Sequence, residues 1–597
     1  KKIVYGLAGT ELAGIVAITV MPRRSAFSVR FFMAAHLIFA GGGSSMCILV
    51  QERASGDLEP GEEDMSFLGR CSLSDFCSDD SYFASRGLQH TDTGIYHAQA
   101  IRWYEEYGLV KGLGNLQQHF AYNSAYLAYA AAFSMKWLVG QSLHGTNGFL
   151  QAFLCIWALY GLKNFARHKS HLADGCRVGI LLYAIVVSER IMSPATDFGT
   201  MYLVFFIVTL WTSIACEKEG KVGEKTDLYA LLCVAVVCVT TFKLSAGMLV
   251  ILALYPAVCL IRSKEWKKIG IYLLCGCVVL APWLVRNVLI SGWLFYPFTF
   301  LDWFPVDWKI SKGYADSDAK EIQAYAREIY NVYQLDQPLK QWLPNWFAAQ
   351  AGFDKLLVLA GWAAIPVSAV LAVLGAVRAV RAGQVTVAPH AGGAASVDNG
   401  THTSKADRVT VTLHAGSAVS ERETGVPLPA RRVAHLTPLC FSLLQLCAVV
   451  GFFFWQLGAP LVRYGYFYVL FLPLTVFGSL YCMAAEKLAG SEQGHNGRKW
   501  LKNAGYWAFV GLLVAFFTYK GYNLIQMVRE LAYEPYYLWQ QDYVDGSAEM
   551  YEVDGVTIYV PTDRGQIGYN KFPSSPIVQD IELRGNSIRD GFRKKSK

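Results

Sequence analysis

Charged side chains are scarce in this sequence. Asp, Glu, Lys and Arg make up 17% of its 597 residues, whereas Ala, Val, Ile, Leu, Met, Phe, Trp, Tyr and Cys together make up 53%. Soluble domains average about 25% charged residues, so a soluble protein of this length is excluded. The abundance of large apolar side chains also excludes a disordered chain. A helical protein that crosses a membrane several times remains.

Several catalytic motifs are absent as well. The sequence has no HExxH, P-loop or GxSxG motif in a convincing context, which leaves metalloprotease, nucleotide-binding and serine-hydrolase functions without support. The 14 cysteines are scattered, mostly within or beside apolar runs, where a free Cys behaves as a small hydrophobe. Cys71 and Cys77 share one polar loop and can pair if that loop faces an oxidising compartment.

Charge-poor apolar runs recur along the chain, each long enough or nearly long enough to cross a bilayer. They lie at 3–20, 28–50, 121–139, 148–166, 178–192, 198–216, 227–242, 246–261, 269–289, 354–380, 436–457, 461–484 and 500–519. Two crossings at 121–139 and 148–166 conflict with the charges of the flanking loops. Because Asn123 and Lys136 suit lipid poorly, we expect 121–139 to lie in the outer leaflet or against a loop. This leaves about twelve transmembrane helices.

The net charge of +7 is distributed as short Lys and Arg clusters between the apolar runs. This pattern indicates membrane orientation and not nucleic-acid binding. Lys264, Lys267 and Lys268 place their loop in the cytoplasm. Counting spans from this loop puts the 290–350 loop and the chain after residue 519 on the exterior side.

The sequence divides into a transmembrane domain, 1–519, and a small exterior C-terminal domain, 520–597, with short β-like runs. The first exterior loop, 51–119, is acidic, and the Trp-rich 290–350 loop predicts exterior amphipathic helices. The 382–434 segment is rich in Ala, Gly, Ser and Thr and predicts a disordered cytoplasmic insertion. The predicted fold class is an all-α polytopic membrane protein with a small exterior C-terminal domain.

Two acidic residues lie near predicted exterior helix ends. Asp92 lies in a polar stretch of the first loop, with His97 five residues later, and Asp197 precedes the 198–216 run. Helix N-caps explain both acids, and an interfacial histidine explains His97 equally well. The functional interpretation is that these carboxylates face a cavity, where one could accept a proton.

Three isolated cations lie at the same predicted level of the membrane. Lys243, Arg286 and Arg463 each interrupt an apolar segment. Any one of them could extend to lipid headgroups. Three cations together with two acids favour an anionic ligand near this leaflet, and the planar guanidinium of arginine suits phosphate.

The sequence resembles a group of bacterial polytopic proteins that are similar to the GT-C superfamily of glycosyltransferases, which includes protein O-mannosyltransferases and the aminoarabinose transferases of lipid A. The resemblance runs from about Asp92 to Phe592. The segments that carry it are 92–97, 101–103, 112–116, 123–124, 193–197, 243–245, 282–287, 292–297, 307–309, Arg463, 583–585 and 590–592.

The resemblance implies a GT-C-like fold and transfer of a sugar from a polyprenyl-phosphate donor to an acceptor hydroxyl. The acceptor would be a glycan, lipid or protein at the exterior face of the bacterial inner membrane, in cell-envelope biogenesis. In this interpretation Asp92 and Asp197 are catalytic, with Asp92 as the base, and transfer inverts the anomeric centre. The substrate-binding residues are His97, Lys243, Arg286, Asn287 and Arg463. No metal-ligand motif is present, and the need for a divalent cation stays open.

Three other functions fit the same residues. A surface-polysaccharide polymerase or ligase also uses lipid-linked donors. A transporter or lipid flippase would use the Arg and Asp residues to bind its cargo. A structural subunit of a membrane complex would keep the fold without activity.

Overall fold

The computed structural model describes residues 91–166, 172–188, 191, 194–216, 222–329, 331–383, 438–489, 546–562 and 565–595, with parts of 511–526. Several predicted features lie outside the described residues. They are the apolar runs at 3–20 and 28–50, residues 51–90 of the first exterior loop with Cys71 and Cys77, nearly all of the 382–434 segment and most of the apolar run at 500–519.

Helices make up most of the described chain. The first, α1 (Ala98–Glu106), continues directly from a π-helical turn at Thr93–His97. The other helices are α2 (Ala125–Ala132), α3 (Lys136–Val139), α4 (Thr146–Ala166), α5 (Leu172–Val186), α6 (Thr196–Cys216), α7 (Val222–Phe242), α8 (Leu254–Arg262), α9 (Trp266–Ser291), α10 (Lys312–Ala326), α11 (Leu339–Ala349), α12 (Gly352–Gly383), α13 (Pro438–Leu457) and α14 (Val462–Ala489).

Six helical segments within the described residues are long and apolar enough to span a membrane. They are Thr196–Cys216, Gly223–Phe242, Leu244–Arg262, Trp266–Ser291, Gly352–Gly375 and Val462–Tyr481. Two further apolar helices, Thr146–Leu159 and Ser442–Leu457, are shorter. The protein is therefore a mostly helical membrane protein, as its composition predicts.

Helix α6 lies at the centre of the helix bundle. All of its residues are buried, because its apolar side chains surround the helix and leave no polar face. Two of its threonines satisfy their hydroxyl groups within the helix, since Thr209 and Thr212 donate hydrogen bonds to the carbonyls of Phe205 (2.7 Å) and Val208 (3.0 Å). A central apolar helix of this kind fixes the position of its first turn, which carries Asp197.

The apolar run at 121–139 is divided between two short helices. A break at Met135, whose φ is 55°, separates α2 from α3. The eight residues of α2 cover only about 12 Å at 1.5 Å per residue, far less than a bilayer. Tyr126 of α2 packs directly on α6 at Gly199, where a Cβ atom would lie 2.2 Å from the tyrosine ring. This segment packs against the bundle, and neither of its helices is long enough to span a bilayer.

The chain between α7 and α8 is a ten-residue 3₁₀-helix, Leu244–Ala253. Lys243 precedes it in an extended conformation, with φ of −153° and ψ of 123°. Most 3₁₀ segments span only three or four residues, so this one is unusually long. The extended residue turns the lysine side chain out of the helical path at the point where α7 ends.

The C-terminal region forms two small antiparallel sheets. Strands β1 (Ala548–Val553) and β2 (Val556–Pro561) form a hairpin, and β3 (Ile581–Leu583) pairs with β4 (Phe592–Lys594). The hairpin turn, Asp554 and Gly555, has positive φ at both residues, as a type I′ turn requires.

These strands pack directly on the segment that follows Asp92. The Phe592 amide donates to the Lys111 carbonyl (2.9 Å), and the Ile567 amide donates to the Gly94 carbonyl (3.0 Å). Buried side chains of the strands, including Phe592, belong to the same hydrophobic core as the helices. The C-terminal region therefore supports the π-turn and α1 from outside the helix bundle.

The Trp-rich 290–350 segment forms α10 and α11. Trp342 and Trp346 of α11 are buried, and Trp303, in the loop before α10, is 65% exposed. Helix α10 packs its Ala315, Asp318 and Ala326 inward. This orientation brings an acidic side chain into the protein interior.

Candidate functional site

A cavity of about 760 Å³ lies where the π-turn, α6, α7, α10 and α14 meet. Its wall is largely apolar and aromatic, with polar side chains contributed by each of these elements. Ligand pockets usually have volumes of about 300–1,000 Å³, so this cavity can hold a sugar-sized group together with a phosphate. The polar residues that line it include Asp92, His97, Gln118, His119, Asp197, Lys243, Asp318 and Arg463.

Four charged side chains from distant parts of the chain meet at one side of this cavity. Arg463 Nη2 lies 2.8 Å from Asp92 Oδ2, and Arg463 Nε lies 3.4 Å from Asp197 Oδ2. Lys243 Nζ forms an ion pair with the other carboxylate oxygen of Asp197. The four residues therefore form a chain of alternating charge, which we call the charge network: Asp92, Arg463, Asp197 and Lys243.

Local structure explains how each member reaches the charge network. Asp92 lies at the N-terminal end of the π-turn, and Asp197 is the second residue of α6. Arg463 is the second residue of α14, and Lys243 occupies the extended break after α7. Asp92, Asp197 and Arg463 thus lie at the starts of helical segments, and Lys243 lies at the break between two helical segments. All four side chains can point into one space.

The charge network is only partly shielded from solvent. The Asp197 side chain is 6% exposed, that of Asp92 is 25% exposed, and those of Lys243 and Arg463 are both 18% exposed. Tyr464 covers it on one side, with Lys243 Nζ 3.7 Å from the ring centroid, a distance at which the ring quadrupole attracts a cation. Asp92 is the more exposed of the two acids.

A second acid lines the same cavity without belonging to the charge network. Asp318 of α10 is 2% exposed. Its Oδ1 atom accepts hydrogen bonds from Gln118 Nε2 (3.1 Å) and from the Tyr122 hydroxyl (3.0 Å). Burial raises the pKa of Asp318 to about 6, although Tyr296 and Tyr122 oppose this shift by hydrogen bonding. This carboxyl group therefore changes its charge near neutral pH.

Aromatic rings surround the space between Asp92 and Asp318. Tyr96 stacks on His119 with ring centroids 5.0 Å apart, and Tyr122 meets the His119 ring edge-on at 5.4 Å. Burial lowers the pKa of His119 below its ordinary value of 6.5, against an opposing effect of Asp92. His119 is therefore neutral near pH 7 and contributes a ring and not a positive charge.

His97 lies beside this aromatic group. It is buried, its Nδ1 lies 3.3 Å from Thr93 Oγ1, and its ring contacts that of Tyr96 with centroids 4.3 Å apart. Like Asp92, Asp197, Lys243 and Arg463, it lines the cavity. The structure thus brings five of the seven predicted site residues together.

Arg286 and Asn287 are not among the residues that line the cavity. Asn287 joins two segments, because its side chain accepts from Asn123 Nδ2 (2.7 Å) and donates to the Leu294 carbonyl (2.8 Å). The Arg286 guanidinium lies 5.9 Å from the centroid of Tyr104, a lining residue. Its Nε and Nη2 atoms are buried and have no hydrogen-bond partner among the described residues. It adjoins the cavity behind the Tyr104 ring.

Sequence reasoning missed Asp318 and its neighbours. In the sequence Asp318 lies among Asp316, Lys320 and Glu321, which is typical of a solvated helix. The signal that could have found it is helical spacing, because Ala315, Asp318 and Ile322 fall on one face. Only the fold reveals that this face is turned inward.

Among the described residues, no group of three or more His, Cys, Asp and Glu side chains is arranged to hold a metal ion. The carboxylates of the charge network are instead each held by cations.

Comparison with known proteins gives a family and no close relative. No curated protein and no solved structure matches the chain. A protein-family model described as a domain of unknown function, DUF8201, matches residues 1–388. The matched range contains Asp92, Asp197, Lys243 and Asp318, whereas Arg463 and the C-terminal strands follow it. Because the match covers well over half of the sequence, the chain belongs to the DUF8201 family.

Proposed function

We propose that this protein transfers a sugar from a polyprenyl-phosphate donor to an acceptor hydroxyl at the exterior face of the bacterial inner membrane. The proposal includes a GT-C-like architecture of about twelve transmembrane helices. The observation that carries it is the charge network, which exposes a carboxylate and two cations to one sugar-sized cavity. Those groups are the ones that sugar transfer from a phosphate requires.

The cations supply the phosphate site. Arg463 and Lys243 both line the cavity, and each is already oriented by a carboxylate. A guanidinium and an ammonium on one side of a partly buried cavity attract a phosphate more strongly than they would in water. Arg286, behind Tyr104, adds a third positive charge. Its Nε and Nη2 atoms are buried and have no hydrogen-bond partner among the described residues.

Asp92 is assigned as the base because it is the more exposed acid of the charge network. In the absence of substrate, its carboxylate is held by Arg463 at 2.8 Å. A bound phosphate competes for this guanidinium, which weakens its hold on Asp92 and makes the carboxylate a better proton acceptor. Asp197, which is more deeply buried, keeps Lys243 in position.

The reaction is a single displacement. The acceptor oxygen bonds to the anomeric carbon as the bond between this carbon and the phosphate oxygen breaks. The hydroxyl proton moves to Asp92, and the electron pair of the broken bond stays on the phosphate. The leaving phosphate gains a negative charge, which Arg463 and Lys243 stabilise. Because the enzyme itself forms no bond to the sugar, the anomeric configuration inverts.

The apolar part of the cavity wall fits a lipid-linked donor. Leu109, Leu244, Phe298, Phe454 and Trp455 all line it. A prenyl chain attached to the phosphate can pack against such side chains while the phosphate meets the cations. The acceptor is a surface glycan, lipid or protein with a free hydroxyl group.

The test compares lipid-linked sugars and surface glycans in cells that carry wild-type protein or Asp92→Asn. Asparagine keeps an oxygen that can accept from Arg463 but removes the negative charge and the basic site. We expect one sugar to disappear from a surface product and its polyprenyl-phosphate form to accumulate. The matched control is Asp302→Asn, because Asp302 pairs with Lys309 and does not line the cavity. All proteins are compared at equal membrane levels.

Other outcomes contradict the proposal in different ways. Unchanged glycan profiles in Asp92→Asn cells would mean that this carboxylate is structural, and would favour a transporter or a structural subunit. Accumulation of a lipid pyrophosphate oligosaccharide would instead indicate a polymerase or ligase.

A further inference from the structure

Asp318 is a buried acid that the proposed reaction does not use. The hydrogen-bond donors around Asp318 are Gln118, Tyr122 and Tyr296, all of them neutral, and no described Lys or Arg side chain forms an ion pair with it. A buried carboxylate without a cation is costly, and acids of this kind concentrate at functional sites. Its position at the cavity wall shows where a ligand could reach it.

Aromatic side chains surround Asp318, and the charged residues Lys320 and Glu321 of the same helix also line the cavity. Tyr96, His119, Tyr122 and Tyr296 all line the cavity beside it. Tyr122 lies 6.1 Å from Tyr296 and 6.1 Å from Tyr96, measured between ring centroids. Flat rings offer apolar faces to the C–H groups of a pyranose, and a carboxylate and an amide offer partners for its hydroxyl groups.

We propose that Asp318, Gln118 and these four rings form a subsite for an uncharged, hydroxyl-rich pyranose. The subsite rests on its own geometry, and only the identification of this pyranose as the donor sugar rests on the proposed function. Asp318 accepts a hydrogen bond from a sugar hydroxyl, and the rings pack against the sugar faces. Asp92 and Asp318 line the same cavity and both act electrostatically on Tyr96, so that a sugar held here is close to the base.

The charge of Asp318 also determines which sugars are excluded. A uronic acid would place a second carboxylate beside one that has no cation partner, and like charges repel strongly in a partly buried site. The phosphate is not subject to this repulsion, because the charge network supplies its cations. The cavity therefore has a cationic end for phosphate and an acidic, aromatic end for a neutral sugar.

The experiment measures binding to the full chain in lipid nanodiscs at pH 7.5, where Asp318 is ionised. The probes are the methyl glycosides of glucose, galactose, mannose and glucuronic acid, and separately farnesyl phosphate, which has no sugar. Glycoside binding is followed by saturation-transfer NMR. The variants are Asp318→Asn and a matched control, Asp316→Asn, which makes the same change on α10 at a residue that does not line the cavity.

We expect wild-type protein to bind at least one neutral glycoside and to bind the glucuronide at least tenfold more weakly. Asp318→Asn should weaken binding of the neutral glycoside at least tenfold and reduce the discrimination against the glucuronide. Asp316→Asn should change neither. The proposal is overturned if no neutral glycoside binds, or if Asp318→Asn leaves the affinity and selectivity unchanged.

Farnesyl phosphate separates this proposal from the proposed function. Binding that is abolished by Arg463→Gln but unaffected by Asp318→Asn supports two distinct ends of the cavity. If farnesyl phosphate fails to bind while the neutral glycoside binds through Asp318, the lipid-phosphate donor is wrong and the sugar subsite stands. An equal loss of farnesyl phosphate and glycoside in Asp318→Asn would mean that the variant disturbs the whole cavity, and would refute a separate subsite.

Discussion

Replacing Asp318 by Asn should stabilise the folded protein at pH 8 even though the residue is buried. Burial raises the pKa of this carboxyl from an ordinary value of 3.8 to about 6. At about 1.4 kcal/mol for each pH unit, this difference corresponds to about 3 kcal/mol that the ionised group costs in the folded state. Asparagine retains an oxygen for Gln118 and Tyr122 and avoids that cost.

The direction in which stability changes with pH follows from proton binding by Asp318. The folded protein holds the Asp318 proton more tightly than the unfolded chain does, so its stability falls as the pH rises through the interval from 3.8 to about 6. The cost is complete above this interval and is only about 1 kcal/mol at pH 4.5. Other groups near Asp318, including Glu321, Tyr122 and Tyr296, are present in both proteins. The difference between variant and wild type therefore isolates Asp318.

The assay is thermal unfolding in detergent at pH 4.5 and pH 8, for wild type, Asp318→Asn and Asp316→Asn. We expect Asp318→Asn to unfold a few degrees above wild type at pH 8 and to lose most of this advantage at pH 4.5. Asp316→Asn removes a carboxylate of the same helix that accepts from Thr299 in a partly exposed position, and it controls for the general effect of losing an acid from α10. An advantage of equal size at both pH values would refute the argument from desolvation.

Two further predictions concern packing and charge. Lys243→Gln should destabilise the protein by about 2–4 kcal/mol, because it removes a cation from buried Asp197; adding Asp197→Asn should restore at least half of the loss in the same thermal assay. Gly112→Ala should cost more than about 2 kcal/mol, since its φ is +63° and a Cβ would lie 2.0 Å from the Phe592 carbonyl oxygen. Gly108→Ala, at φ of +74° with free space around it, should cost only about 1 kcal/mol.

The membrane-spanning segments were predictable because they depend on local composition. The apolar runs at 198–216 and 269–289 correspond to α6, Thr196–Cys216, and α9, Trp266–Ser291. Hydropathy does not reveal the internal geometry of a span, however. The run predicted at 246–261 begins with 3₁₀-helix, and this conformation follows from how the chain packs after Lys243.

The site was less predictable because its members are far apart in sequence. Asp92 and Asp197 were predicted as site residues because they are acids near the ends of helices. In the structure both pair with Arg463, and this arrangement arises only when α6 and α14 pack. The resemblance to the GT-C glycosyltransferases implies a substrate role for Asn287, and in the structure its side chain joins Asn123 to Leu294. A polar residue at the end of a span looks the same in sequence whether it binds a ligand or another segment.

Arg463 also shows why the charge network depends on more of the chain than the part that the family model matches. Residues 1–388 supply Asp92, Asp197 and Lys243, which together carry one net negative charge. Arg463, from α14, balances that charge and is the member that contacts both carboxylates. Without it, two acids would share one lysine in a partly buried cavity, where like charges repel. Docking of α14 therefore supplies the cation that bridges the two carboxylates, and it connects the assembly of the C-terminal helices to the chemistry of the cavity.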